Sequence, residues 1–135
     1  LFCDRFVAIV ADSHPFQDAT VDLATFAAFP HVLTAPSGKA STSALSKRLA
    51  LAGLERRIAV TVPHFSMGPL VLSQGPFILT LPGRLALAYA QQHGHRVLKL
   101  GFDVPEITVY AAWHERMHRD PGHKWLRSML MRACV

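Results

Sequence analysis

The amino-acid sequence predicts an α/β fold in which a parallel sheet is covered by helices on both faces. Short runs rich in β-branched and other apolar residues alternate with segments whose apolar residues recur at helical spacing. The strand runs are apolar almost without interruption, which is typical of strands buried on both sides of a parallel sheet. With 135 residues, 50% of them hydrophobic and 17% charged, the chain is long enough to bury a core.

The first half of the chain begins with a strand at Arg5–Val10, which the polar turn "ADSHP" ends. A short helix is predicted at residues 21–29, with Asp22 near its start. The next strand, His31–Thr34, is closed by Pro36.

A polar loop, "SGKAST", leads into a helix predicted at Ser43–Ala52, which Gly53 ends. The strand that follows, Arg57–Val62, is expected to be buried. After it come a short helix or irregular turn, a strand, a helix capped by Gly94 and two further strand-like runs: residues 66–75, 77–82, 83–93, 96–102 and 106–114.

The last segment is predicted to be a helix that begins at Pro121, with Asp120 as its N-cap. Its apolar residues recur at helical spacing and form a stripe: Trp125, Leu126, Met129, Leu130 and Ala133.

The residues just before this helix, His114-Glu115-Arg116-Met117-His118, match the H-E-x-x-H pattern of zinc peptidases. That site requires both histidines on one helix and a third protein ligand. The preceding run "ITVYAAW" favours a strand, Pro121 begins a new helix, and the chain has no Asp or Glu after Asp120. A zinc metallopeptidase is therefore the weakest of the functions considered, and neither a metal nor another cofactor is expected.

The composition argues against direct nucleic-acid binding, a membrane-spanning helix and a disulfide framework. The formal net charge is +5, but the basic residues are spread along the chain instead of forming a nucleic-acid-binding patch. Prolines interrupt the long uncharged stretch from Ile58 to Gly83, so no membrane helix is expected. Cys3 and Cys134 are too few for a disulfide framework, which favours a reduced, cytoplasmic location.

Two loops are predicted to bind a small ligand. In an open parallel sheet, ligands bind at the carboxyl ends of the strands, where backbone N–H groups of helix N-termini are free. The loops at this edge supply polar groups and one aromatic wall: Pro36, Ser37, Gly38 and Lys39 in the first, and Pro63, His64, Phe65 and Ser66 in the second. The alternative is that Ser41 or Thr42 and Ser66 only cap their helices and that Phe65 belongs to the core. Three histidines, His14, His31 and His64, are interpreted as partly exposed turn residues.

The stretches "GLERRIAVTVPHF" and "FILTLPGRLA" and the ending "WHER" with "DPGHKWLR" resemble the effector-binding domain of LysR-type transcriptional regulators across essentially the whole chain. The resemblance implies a fold like that of type II periplasmic binding proteins, with two α/β subdomains and an inducer in the cleft between them. Residues 11–102 would form the second subdomain, and residues 1–10 and 106–135 would be parts of the first. A winged helix-turn-helix, which would bind DNA, and the opening half of the first subdomain would lie outside this chain.

The resemblance also implies a non-enzymatic, cytoplasmic protein that forms homo-oligomers and does not bind a membrane. Lys39, His64 and the helix N-termini favour an anionic inducer such as a carboxylate. A transport-type solute-binding protein of the same fold is the alternative that the sequence leaves open.

Overall fold

A computed structural model describes residues 1–35 and 44–134 of the chain. The strands of this part are β1 (Phe2–Asp4), β2 (Phe6–Ala11), β3 (Thr20–Val21), β4 (His31–Thr34), β5 (Ile58–Val62), β6 (Ile78–Pro82), β7 (His95–Leu100) and β8 (Ile107–Val109). The helices are α1 (Leu23–Ala28), α2 (Ala44–Leu51), α3 (Gly68–Leu72), α4 (Gly83–His93) and α5 (Pro121–Ala133).

The chain divides into two compact units. The larger unit is Arg5–Pro105, and the smaller unit combines Leu1–Asp4 with the residues from Glu106 onward. The sequence prediction placed residues 1–10 in the smaller part, whereas here the boundary falls after Asp4. The reason is that β2 pairs with β6 on one side and with β7 on the other, inside the sheet of the larger unit.

The sheet of the larger unit has the strand order β3-β7-β2-β6-β4-β5. Neighbours β4 and β5, β4 and β6, and β3 and β7 are parallel, as the sequence predicts. The exception is β2, which runs antiparallel to both of its neighbours. No helix lies between β2 and the next strand, β3, so the direction of β2 is not fixed by a helical crossover connection.

Helices cover both faces of this sheet, and the two faces carry separate hydrophobic clusters. Alternate residues of β2 point to opposite sides: Ala8 and Val10 join one cluster, Ile9 and Ala11 the other. The first cluster includes Phe26 of α1 with Leu45 and Leu49 of α2, and the second includes Leu72 of α3 with Ala86 of α4.

Strand β5 lies at the edge of the sheet and is more exposed than its apolar sequence predicts. Ile58 is 37% exposed, and only Val62 of this strand is buried. The prediction of a buried strand was wrong here because β5 has a neighbour, β4, on one side only.

Helix ends follow the sequence signals closely. Asp22 accepts a hydrogen bond from the Thr25 N–H at the start of α1. Gly53 ends α2 with φ 69°, and the Leu54 N–H donates to the Leu49 carbonyl at 3.0 Å while the Gly53 N–H donates to Ala50. This pair of bonds is the Schellman arrangement, which satisfies carbonyls that the helix leaves open.

The smaller unit contains an antiparallel pair of strands, β1 and β8, and helix α5. As predicted, Asp120 is the N-cap of α5, and its carboxylate accepts a hydrogen bond from the His123 N–H at 2.7 Å. No described helix of the chain is both long and apolar enough to cross a membrane.

Candidate functional site

The two predicted ligand-binding loops leave the sheet from neighbouring parallel strands. Thr34, the last residue of β4, is paired with Val62, the last residue of β5, and the Ala35 N–H donates to the Val62 carbonyl at 2.9 Å. Both loops therefore start at the same edge of the sheet, where parallel α/β proteins bind ligands.

The second loop is described in full and is accessible to solvent. Pro63, His64, Phe65 and Ser66 are all exposed, with Phe65 at 38%. The first loop's residues, Pro36, Ser37, Gly38 and Lys39, lie outside the described part of the chain.

A single turn of 3-10 helix, Phe65–Met67, orients the second loop. His64 precedes this turn, and its carbonyl accepts a hydrogen bond from the Met67 N–H at 3.1 Å. Its imidazole forms no capping bond, and the residue at the start of α3 is Met67, not Ser66. Ser66 is therefore not the N-cap of either helix, and the alternative that it only caps a helix is wrong.

A cavity of about 150 Å³ lies beside this loop, within the larger unit. Its walls combine apolar side chains with one arginine and two threonines: Phe6, Val32, Leu33, Thr34, Leu45, Arg56, Phe65 and Thr80. Phe65 is thus half-exposed and lines a cavity, so the alternative that it belongs to the core is not supported by its position. The cavity is about large enough for one six-membered ring.

Two basic groups near this cavity differ in charge. Burial lowers the pKa of Arg56 to about 10, so its guanidinium remains protonated at neutral pH. Burial, and then the nearby charge of Arg56, lowers the pKa of His31 to about 4, so its imidazole is neutral. The His31 Nε2 atom lies 2.8 Å from the Phe26 carbonyl oxygen, which a neutral ring satisfies by donating its proton there.

The interpretation of the histidines as turn residues was wrong for two of the three. His14 and His31 are buried, at 1% and 0% exposure, and each ring packs on a phenylalanine, Phe29 and Phe26 respectively. Of these three histidines, His64 alone is exposed. Sequence neighbours such as proline indicated turns, but they gave no information about which rings the fold would cover.

The H-E-x-x-H motif of the smaller unit forms a 3-10 turn at Glu115–Met117 instead of an α-helix. His114 caps this turn, with its Nδ1 accepting from the Arg116 N–H at 3.2 Å, and His118 Nδ1 accepts from the Trp113 indole at 3.3 Å. The described residues contain no group of three or more His, Cys, Asp or Glu side chains placed to hold a metal ion.

Sequence reasoning missed the polar side chains of the cavity, Arg56, Thr34 and Thr80. One signal was present in the strand "FILTLP", where Thr80 is the only polar residue of a run that is otherwise apolar. Arg56 gave a weaker signal, because two adjacent arginines precede β5 and the sequence does not say which of them turns inward. Together these residues make the site one that can hold a small molecule with a polar end.

An open α/β sheet with the polar loop Pro63–Ser66 at its edge and a largely apolar cavity beside that loop has the features of a small-molecule-binding domain. Comparison with known proteins identifies its family. The model of the LysR substrate binding domain matches residues 1–135, and the chain belongs to this family.

The relatives are transcriptional regulators. The chain is 31% identical over 134 residues to the HTH-type transcriptional activator NagR of Ralstonia sp, an alignment that covers 97% of this chain and 43% of NagR. It is 27% identical over 132 residues to the HTH-type transcriptional activator NahR of Pseudomonas putida, covering 96% of this chain and 43% of NahR. The chain thus spans about two fifths of the length of the curated relatives it matches.

Solved structures show the same fold. The regulatory domain of MexT, a transcriptional activator of Pseudomonas aeruginosa, superposes with a TM-score of 0.82 at 26% identity, covering 96% of this chain and 63% of that one. The fold class predicted from the sequence is confirmed: the chain has the mixed α/β fold of LysR regulatory domains, consistent with a periplasmic-binding-protein-like architecture.

Proposed function

We propose that this chain is the part of a LysR-type regulator that senses a small anionic effector, and that it catalyses no reaction. The family supports the sensing role, because the whole chain matches the substrate-binding domain. The location of the effector-binding site is supported by the pairing of β4 with β5, which brings the starts of both candidate loops to one edge of the sheet.

The proposed contacts are Pro36–Lys39 from the first loop and Pro63–Ser66 from the second. Lys39 supplies a positive charge, His64 and the serines supply hydrogen bonds, and Phe65 supplies an apolar surface. Effector binding would change DNA binding through a winged helix-turn-helix of the regulator, and would act on a homo-oligomer in the cytoplasm. None of the relatives described above favours the transport-type solute-binding protein.

A thermal-shift screen of metabolites tests this proposal, because a ligand that binds only the folded state raises the melting temperature. The protein is expressed with the coding sequence that flanks this chain in its gene. We expect organic anions to raise the melting temperature and His64→Ala to reduce that rise. Gln74→Ala, at an exposed position of the same unit, serves as the control and leaves the rise unchanged. If no small molecule stabilises the protein, the proposed function is wrong.

A further inference from the structure

Arg56 carries a partly buried positive charge for which the described chain provides no counter-ion. Its Nε atom is buried without a hydrogen-bond partner, and burial is the sole cause of its lowered pKa, with no carboxylate acting on it among the residues described. Residues 36–43, which the structure does not describe, contain neither Asp nor Glu. A desolvated charge of this kind costs folding free energy unless something pairs with it.

Arg96 is a second partly buried arginine whose Nε atom also lacks a hydrogen-bond partner, but its terminal nitrogens and its charge find partners within the fold. Its guanidinium donates to the Phe16 carbonyl at 2.7 Å and to the His14 carbonyl at 3.4 Å, and it lies 3.7 Å from the Asp12 carboxylate. Buried groups without a hydrogen-bond partner are uncommon in folded proteins, so each of them needs a physical explanation, and a functional role is one of these. Arg56 differs from Arg96 in its charge: Asp12 lies beside the Arg96 guanidinium, whereas no carboxylate of the described residues acts on Arg56.

Of the six buried side-chain atoms that lack a partner in the described part of the chain, three belong to residues that line one cavity. Arg56 lines it together with Thr34 and Thr80, and the Oγ1 atoms of both threonines are also buried without a partner. The rest of the wall includes the apolar side chains of Phe6, Leu45 and Phe65. One cation and two hydroxyl groups thus share a cavity of about 150 Å³ whose other walls are largely apolar.

We propose that this cavity binds the carboxylate of a small organic acid, with Arg56 as the anchoring cation. The guanidinium pairs with the carboxylate, the hydroxyls of Thr34 and Thr80 donate to its oxygens, and the apolar body of the acid packs against Phe6, Leu45 and Phe65. His31 does not compete, because its imidazole is neutral at pH 7. This inference rests on the proposed sensing function: the effector would be a small organic acid, and Arg56 would be the residue that binds its carboxylate.

Benzoate and benzamide are the probes for this proposal, since they share a ring of the size of the cavity and differ in charge. Isothermal titration calorimetry is carried out on the protein expressed with its flanking coding sequence. We expect benzoate to bind and benzamide to bind at least tenfold more weakly. Arg56→Met weakens benzoate binding by roughly tenfold to a hundredfold, the range for a hydrogen bond to a charged group. The control is Arg57→Met, which removes the same charge from the exposed neighbouring position and leaves binding unchanged.

The stability of the ligand-free variant separates a binding role from a structural one. If Arg56 serves the ligand, removing its uncompensated charge leaves the melting temperature of Arg56→Met equal to or above that of the wild type. If Arg56 instead held the fold together, the melting temperature of the ligand-free variant would fall, and the proposal would be overturned.

Thr80→Val provides a second variant that keeps the shape of the side chain and removes a hydroxyl with no partner. We expect it to fold and to bind benzoate several-fold more weakly, while Thr61→Val, at an exposed position of β5, binds as the wild type does. Equal binding of benzoate and benzamide, or no binding of benzoate, overturns the carboxylate pocket. If a metabolite stabilises the wild type and Arg56→Met equally, the proposed sensing function is supported but Arg56 is not the anchor. If no small molecule stabilises the wild type, both the sensing function and the anchor are wrong.

Discussion

His31 is a fully buried imidazole at the start of β4, and it makes the stability of the larger unit depend on pH. Its pKa in the folded protein is about 4, below the ordinary value of 6.5, because burial and Arg56 both oppose its protonation. The unfolded chain therefore takes up a proton at higher pH than the folded chain does. The stabilisation is complete above about pH 6.5 and is lost as the pH falls toward 4.

We expect the free energy of unfolding to fall by about 3 kcal/mol between pH 7 and pH 4 on account of His31. Urea unfolding followed by circular dichroism at several pH values measures this loss, and His31→Gln should reduce the slope. The slope does not vanish in that variant, because burial also lowers the pKa of His14. The control is His64→Gln, at an exposed position. If stability depends on pH as steeply in His31→Gln as in His64→Gln, His31 is not the cause of the loss at low pH.

The residue scale is also where sequence reasoning is weakest. The loop residues Pro63–Ser66 could be predicted because proline and polar residues mark the end of a strand. Arg56 and Thr80 could not be assigned to a cavity, because their roles depend on side chains from β2, β4 and α2 that are distant in sequence. Burial of His14 and His31 likewise depends on which aromatic rings the fold brings against them.

Helix α5 depends on its N-cap for a defined start. The Asp120 carboxylate satisfies the His123 N–H, which would otherwise have no intrahelical partner. We expect Asp120→Ala to lower the free energy of unfolding of the smaller unit by about 1 kcal/mol, and Asp120→Asn to lower it less. Tryptophan fluorescence during urea unfolding reports this unit alone, because both tryptophans, Trp113 and Trp125, belong to it. Equal losses for Ala and Asn would contradict a capping role.

Helix α4 depends on a glycine at its other end. Gly94 has φ 66°, and a Cβ atom added there would meet nothing within 4 Å, so the cost of a side chain lies in the backbone conformation alone. We expect Gly94→Ala to cost about 1–2 kcal/mol of unfolding free energy and Gly94→Asn to cost less, because Asn tolerates this conformation better. Circular dichroism during urea unfolding measures the difference. If Ala is tolerated as well as Asn, the left-handed cap is not what ends the helix.

Elements were predicted well because their signals are local. Asp22, Gly53, Gly94 and Asp120 mark helix ends through bonds to residues a few positions away, and each was recognised from the sequence. The exposure of β5 is different, because it follows from the position of the strand at the edge of the sheet, which local sequence does not determine.

At the scale of the whole molecule, the fold class could be predicted, but two features of its assembly could not. The antiparallel direction of β2 and the unit boundary after Asp4 have the same cause, since β2 inserts between β6 and β7 instead of staying with β1. Strand order is a long-range property, and alternating strands and helices constrain it only for strands joined by crossover helices.

Several apolar side chains of α5, in the smaller unit, are exposed to solvent, and we expect them to cause self-association of the chain. Trp125 is 64% exposed, Leu126 48%, Leu130 41% and Met131 59%. Contiguous apolar surface of this kind favours association. We expect these 135 residues, studied alone, to associate in a concentration-dependent manner in sedimentation experiments.

The double substitution Leu126→Gln with Leu130→Gln tests whether this face causes the association. The two positions are four residues apart and lie on one side of the helix, so replacing both interrupts the apolar surface while keeping helix-forming side chains. We expect the variant to shift toward a monomer. Leu51→Gln is the matched control, because Leu51 is 85% exposed in the larger unit and should leave the association unchanged. A cooperatively folded wild-type monomer at every concentration would show that the exposed face of α5 does not drive self-association.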